Sequence, residues 1–325
     1  MKILIAGGAG YIGGTVTRIL QAQGHTVTVF DNLCHSKRSA VAGGENVTFV
    51  EGDIADRPLI EETLRKGRFD GVMNFAALIE AGESMKRPEI YFRNNTAATL
   101  TLLEAMLATG HDRLVFSSTA ACYGEPEKTP ILEDAKLQPT NPYGESKLLV
   151  EHMLRWMNLI HGFKYASLRY FNVAGAIEGY GEAHEPESHL IPLILDVALG
   201  KRANIKIFGR DYPTKDGTCV RDYIHVQDLA EAHLLALGAL SESKSRLIYN
   251  IGNGQGFSVL EVVESVRRVT GRPIAVEECD RRPGDPGILV AGSEKIKAEL
   301  GWKPKFAELD QIVSSAWEWH QRRYA

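Results

Sequence analysis

Cysteine is scarce and scattered. The four (Cys34, Cys122, Cys219 and Cys279) form no C-x-x-C pair, so neither a disulfide framework nor a structural zinc site is expected, and a reducing cytoplasm is the compartment that fits. A basic excess is also missing. The 37 Lys and Arg are outnumbered by 41 Asp and Glu, which leaves no footprint for non-specific nucleic-acid binding. Nowhere is there an apolar run of about 18 residues, so no membrane-spanning helix is expected. The opening Met1 to Ala6 stretch meets Gly7 too soon for a secretory signal and reads as a strand. Repeats and low-complexity tracts are absent. At 325 residues the chain can form one large domain or two ordinary ones.

What is present is alternation. Short apolar runs at 2–6, 26–30, 47–50, 71–75, 113–117 and 165–170 are separated by stretches with helical spacing, notably 58–66, 89–108 and the run after Asn141. That is the pattern of an α/β protein with a doubly wound parallel (Rossmann) sheet. After residue 172 the pattern loosens. Segment 189–199 reads as a helix, 205–208 as a strand, and 227–240, 259–269 and 309–321 as helices. A first domain over 1–172 and a smaller α/β substrate domain over 173–325 are expected, with a segment near 220–251 returning to the first sheet.

The first strand runs into Gly7, Gly10 and Gly13, a G-x-x-G-x-x-G turn that opens a helix. Such a turn lets backbone approach a pyrophosphate at a helix N-terminus. The second strand ends in Asp31. A carboxylate there accepts from both ribose hydroxyls of an adenosine and repels a 2′-phosphate, which favours NAD over NADP. Asp53 follows the third strand, where it can meet an adenine amino group or cap the next helix. The fifth strand ends in Ser117, Ser118 and Thr119, hydroxyls at the edge where such sheets bind ligands. Beyond it, Asn141 and Pro142 read as an N-cap and first helical residue, and put Tyr143 and Lys147 on one helix face. A nearby ammonium favours the phenolate, so Lys147 is expected to lower the Tyr143 pKa and make it a usable base. Nicotinamide, hydroxyl partner and poised phenol together suit hydride removal from a carbinol.

With Tyr143-x-x-x-Lys147 and the Gly7–Gly13 turn, the chain resembles the extended short-chain dehydrogenase/reductases. Asp31-Asn32-Leu33, Gly82-Glu83-Ser84, Ser117 to Gly124, Arg169 to Asn172 and Asp211 to His225 extend the resemblance, over essentially the whole chain, to the UDP-glucose 4-epimerases. The resemblance implies a catalytic set of Thr119, Tyr143 and Lys147. It implies NAD contacts at Gly7, Gly10, Tyr11, Ile12 and Gly13, at Asp31, Asn32, Leu33, Cys34, His35 and Ser36, and at Asp53 and Ile54. Further contacts are implied at Phe75, Ala76, Ala77, Leu78 and Ile79, at Asn94, and at Tyr143, Lys147 and Phe171. For the UDP-sugar it implies Thr119, Tyr143, Asn172, His189, Leu190, Lys206, Ile207, Phe208, Arg221, Arg282, Asp285 and Leu289.

Arg221 and Arg282 can clamp a diphosphate, Phe208 offers an apolar wall to uracil, and Asp285 can accept from a ribose hydroxyl. Leu289 occupies a position taken to govern entry of N-acetylated sugars, which leaves UDP-N-acetylglucosamine or UDP-glucuronate 4-epimerisation as the alternative. Ala120 and Ala121 after Thr119 argue against a dehydratase, which puts acids there. A catalytically silent NAD-sensing protein should have lost Tyr143 or Lys147. The resemblance further implies a homodimer, and no metal is expected.

Overall fold

The computed structural model describes residues 1–242, 244–282 and 286–325. The chain divides into two compact units: Met1–Gly124, Leu137–Arg169 and Ala230–Tyr249 form the first, and Glu125–Lys136, Tyr170–Leu229 and Asn250–Ala325 the second. The division expected at residue 172 therefore lies at 169/170, the returning segment is 230–249, and the acidic stretch 125–136 belongs to the second unit. Ile131 is the reason for that last difference. It is 1% exposed; its N–H donates to the Val290 carbonyl (2.8 Å), and its own carbonyl accepts from Gly292 N (2.7 Å) and Asn250 Nδ2 (2.8 Å).

The first unit holds strands β1 (Lys2–Ala6), β2 (Thr26–Asp31), β3 (Val47–Glu51), β4 (Gly71–Asn74), β5 (Arg113–Thr119), β6 (Lys164–Tyr170) and β7 (Arg246–Ile251), the last two ending in the second unit's residues. Its sheet order is β7-β6-β5-β4-β1-β2-β3, and β1/β2, β2/β3, β1/β4 and β4/β5 pair in parallel. The chain winds outward from β1 in both directions, so the order reverses between β1 and β4, the switch point where such sheets take ligands. Ile3, Leu4, Ile5 and Ala6 are all 0% exposed, as expected of a strand covered on both faces. Helices α1 (Tyr11–Ala22), α2 (Arg57–Gly67), α3 (Ala98–Ala108), α4 (Pro142–His161) and α5 (Val226–Glu242) complete the layers. Leu102, Met106, Val150 and Leu154 pack with Leu4, Phe30, Val72 and Phe116 in one core.

Asn141 caps α4 by accepting from Gly144 N (2.8 Å), Pro142 opens it, and Gly162 in the left-handed conformation ends it. The helix expected over 89–108 is interrupted: Pro88–Tyr91 is α-helical, Phe92–Ala97 is π-wound, and α3 follows. In the second unit, Ile205–Phe208 pairs in parallel with Val276–Cys279. Val220–His225 pairs with Gly256–Ser258, Ile288–Leu289 and Asn172–Ala174. Helices Leu190–Ala198, Val259–Thr270 and Leu309–Tyr324 share that unit's core. The strand Val276–Cys279 and the helix Glu294–Leu300 are not evident in the sequence pattern. Among the described residues no helix is long and apolar enough to cross a membrane.

Candidate active site

In the turn after β1, two of the three motif positions admit only glycine. Gly7 has φ +77, and a Cβ there would stand 2.5 Å from the Ala76 backbone nitrogen. At Gly13 a Cβ would strike the Gly7 carbonyl. Gly10 differs: a Cβ would meet nothing closer than the Gly7 carbonyl at 3.5 Å. The protein's own packing does not demand glycine at 10, so the space is left for a ligand's approach. Gly10 also leaves α1 without a side-chain cap, and no acid sits in its first turn, which favours an anion there. Asp31 accepts from Ala9 N (2.9 Å) through Oδ2 and from Leu33 N (2.8 Å) through Oδ1. A carboxylate has about four acceptor positions, so two remain for ribose hydroxyls. The observed residues thus fit a dinucleotide.

Asp53 does not cap α2. Asp56 does, accepting from Leu59 N (3.1 Å). Asp53 instead accepts from Asn32 Nδ2 (2.8 Å) and Ala55 N (2.8 Å), which ties the loop after β2 to the one after β3. Leu33 takes φ +58 in this loop, and the exposed Cys34 and His35 and half-buried Ser36 follow. Ile54 is 5% exposed and its side chain belongs to the core, so only its backbone can reach a cofactor. Tyr11 and Ile12 are half-buried in the first turn of α1.

The loop after β4 is held at both ends. Asn74 Oδ1 accepts from Ala76 N (3.1 Å), while Asn95 accepts from Leu78 N (2.8 Å) and donates to Leu78 O (2.9 Å). Phe75, Ala76, Ala77 and Leu78 are half-buried between these anchors, and Ile79 is exposed. Asn95 also donates to Ser146 Oγ (3.1 Å), and Ser146 Oγ donates to the Tyr143 carbonyl (2.7 Å). Asn95 and Ser146 are therefore supporting residues that the sequence reasoning missed. The signal available was an Asn94-Asn95 pair inside an apolar helix; Asn94 donates to Asn95 Oδ1 (2.9 Å).

Thr119 ends β5, accepts from Ala121 N (3.1 Å) and is hydrogen-bonded to the Tyr143 phenol. The α4 N-terminus sits close to this turn, for a Cβ on Gly144 would stand 2.6 Å from the Ala121 carbonyl. Burial raises the Tyr143 pKa, the Thr119 hydrogen bond lowers it, and Cys122 and Glu80 push it up; the net direction is upward. This corrects the expectation that Lys147 lowers it. The Lys147 ammonium is turned instead to the Ser117 carbonyl (2.8 Å), 5.0 Å from the Phe116 ring centre. Loss of water around Lys147 brings its own pKa down to about 7.

In the second unit, Arg221 and Leu289 lie opposite each other across a parallel strand pair, and Arg221 Nη1 donates to the Val220 carbonyl (2.8 Å). The Arg282 guanidinium lies over the Phe208 ring at 3.9 Å, so the proposed diphosphate and uracil groups meet each other. Lys206 is exposed beside Glu277, whereas Ile207 is 1% exposed with its side chain in the core. Only the Ile207 backbone can serve a ligand. His189 precedes helix Leu190–Ala198 and its Nδ1 lies 2.7 Å from Glu187. Leu190 packs on the unit's core. Asn172 is exposed and Phe171 buried beside it. Asp285 lies outside the described residues. Among the described residues no group of three or more His, Cys, Asp or Glu is placed to hold a metal ion.

Residues 3–252 match the NAD dependent epimerase/dehydratase family. The chain is 53% identical over 321 residues to the UDP-glucose 4-epimerase of Streptomyces lividans, covering 98% of this chain and 96% of that one. It is similar to the UDP-glucose 4-epimerase of Brucella ovis solved in complex with NAD (43% identity, TM-score 0.94, 98% and 97% coverage). It is also similar to the Bifidobacterium longum UDP-glucose 4-epimerase solved with NAD+ and UDP (36% identity, TM-score 0.95, 100% and 99% coverage).

Proposed function

The chain belongs to the NAD dependent epimerase/dehydratase family, and from that premise we propose that it interconverts UDP-glucose and UDP-galactose at carbon 4, with NAD retained through the cycle. The observation that carries this reading is the Tyr143 phenol hydrogen-bonded to Thr119 at the end of β5, with Ala120 and Ala121 following. A relative identical at 53% of aligned positions is a UDP-glucose 4-epimerase, which favours this reading over N-acetylated or uronate substrates.

The chemistry that NAD supplies when bound is acceptance and return of a hydride. Gly10, the α1 N-terminus and Asp31 hold its pyrophosphate and adenosine ribose, and Lys147 serves its nicotinamide ribose. The Tyr143 phenolate takes the proton from the sugar's 4-hydroxyl as carbon 4 becomes a carbonyl, and Thr119 steadies the negative charge that the phenol oxygen carries before this transfer and regains when it gives the proton back. The keto sugar turns over, Tyr143 returns the proton, and the opposite configuration results. Arg221 and Arg282 hold the diphosphate and Phe208 the uracil. With no net oxidation, and no acid at 120 or 121 to drive loss of water, the reaction ends as an epimerisation.

A homodimer is part of the same reading. Leu100 and Leu107 on α3, and Trp156, Leu159 and Ile160 on α4, are exposed, apolar side chains that a second copy of the chain could cover. Cytoplasmic residence is consistent with the four free cysteines. The test is to give purified protein UDP-galactose without added NAD and identify the product. UDP-glucose should form, and NAD should appear in solution only on denaturation. Turnover that depends on added, exchanging NAD would defeat the closed cycle.

A further inference from the structure

Helix α4 meets β5 through three polar contacts, of which the reaction uses two. Residues 143, 147 and 151 follow at four-residue spacing on α4, and each meets one of three consecutive residues of β5. Tyr143 bonds the Thr119 hydroxyl. Lys147 bonds the Ser117 carbonyl at 2.8 Å. Glu151 accepts from the Ser118 hydroxyl at 2.6 Å. This third contact is sealed from ligands. Arg169, on β6, reaches Glu151 with Nε (3.0 Å) and Nη2 (2.6 Å), and its Nη1 donates to the Tyr123 hydroxyl (2.8 Å). The Arg169 and Glu151 side chains are 3% and 4% exposed.

Removing two charges from water is costly, and apolar side chains of similar volume often pack as well or better. What they cannot supply is direction. The four groups join α4, β5, β6 and the turn after β5 by bonds that fix both the rotation of α4 and its slide along β5. Those two freedoms set the Tyr143–Thr119 contact. Of the groups that shift the Tyr143 pKa, burial, Cys122 from the turn and Glu80 from the loop after β4 all oppose the phenolate; Thr119 alone favours it. The Lys147 ammonium, on the same helix, is directed at Ser117.

We propose that Glu151, locked by Arg169, Ser118 and Tyr123, is a positioning residue that sets the Tyr143–Thr119 hydrogen bond and so tunes Tyr143 for proton transfer. The proposal rests on the reading of Tyr143 as the base in 4-epimerisation. Ser118→Ala tests it in the NAD-bound protein, because it removes one hydroxyl and leaves the ion pair in place. The Tyr143 phenol is titrated by ultraviolet difference absorbance against Tyr143→Phe in the same background. Its midpoint should rise by about half a pH unit or more. The kcat for UDP-galactose should fall roughly tenfold, with its pH profile displaced the same way and KM within about twofold. Ser118→Thr, which keeps a hydroxyl, should restore all three.

A folded Ser118→Ala protein with an unmoved Tyr143 titration overturns the proposal, whether or not kcat falls. If Ser118→Ala does not fold, the double substitution Glu151→Gln with Arg169→Met removes both charges at similar volume and is read in the same way. Should the wild type prove inactive on UDP-galactose, the epimerase reading fails, while the titration still reports on positioning.

Discussion

In the first unit, the Glu151 and Arg169 side chains are 4% and 3% exposed and bonded at 2.6 Å. In the second, Lys206 and Glu277 are 48% and 45% exposed at 3.6 Å, and Arg210 and Glu278 are 40% and 62% exposed at 3.2 Å. Both regions are rich in charge, but they hold it differently. Around Tyr143 the polar groups have fixed, buried partners. Around Phe208 the cations rest on surface acids or, for Arg282, on a ring. Proton transfer tolerates little error in distance, so its groups are held from several elements at once. A diphosphate asks for charge that can change partners, and exposed pairs worth about 1 kcal/mol or less give it up easily.

The largest effect that would sharpen the contrast is at Tyr143. Tyr143→Phe should keep NAD and UDP-galactose binding but lower kcat by roughly a thousandfold, as measured by steady-state turnover and by NAD released on denaturation. Near-wild-type turnover would remove the fixed region's claim to the chemistry. Next comes stability. Arg169→Met leaves Glu151 buried without its partner and should cost about 3–5 kcal/mol in urea unfolding. Arg210→Met should cost less than about 1 kcal/mol. Equal losses would mean that burial does not separate the two regions.

The second unit has a buried polar centre of its own, which sets a limit to the contrast. His225 Nδ1 accepts from Gln227 N (3.1 Å). Ser315 Oγ donates to the Ile312 carbonyl (3.0 Å), so at 2.9 Å from His225 Nε2 it accepts from a neutral imidazole. The ring is stacked on Phe306 at 4.1 Å. Burial brings the His225 pKa down to about 4. Between its ordinary value near 6.5 and about 4, the unfolded chain therefore holds the extra proton. Stability is fully present above that window and falls as pH drops through it, by about 3 kcal/mol in all. Asp222, raised to about 6 by burial in spite of three backbone donors, slopes the other way below pH 6. The measurement is thus a difference: Tm against pH for wild type minus His225→Gln, expected to fall with acid. A flat difference would show that His225 is not held neutral.

Much of the first unit is legible in the sequence because its signals are local. Apolar runs mark buried strands, the glycines mark the turn, Asn141 and Pro142 mark the start of α4, and the spacing of Tyr143 and Lys147 puts them on one face. What is not legible depends on residues far apart in the chain. The four-residue spacing does not say where the Lys147 ammonium points, and it points at Ser117. Asn95 is recognisable only once its bonds to Leu78 are seen. Glu151 reads as one more exposed helix acid until Arg169 arrives from β6. Ile131 looks like a stray apolar residue in an acidic loop, and its partners are Val290 and Gly292. In the second unit the strand positions are readable at 205–208, but Ile207 shows that a stretch carried over by resemblance includes side chains turned to the core.

A change in KM alone is the effect that most directly tests the exposed region. The Arg282 guanidinium carbon lies 3.9 Å from the Phe208 ring centre, and a planar guanidinium can both stack on a ring and fork onto two phosphate oxygens. Arg282→Lys keeps the charge and loses both the plane and the fork. If Arg282 acts only by holding UDP, the variant should raise KM for UDP-galactose about tenfold, roughly 1.4 kcal/mol, and leave kcat unchanged, since uniform binding lost from ground and transition states alike does not alter the bound barrier. The same substitution should weaken UDP itself by a similar factor in calorimetry. A drop in kcat at unchanged KM would place Arg282 among the groups that act on the reacting carbon, and the division between a fixed region for chemistry and an exchangeable one for binding would not survive it.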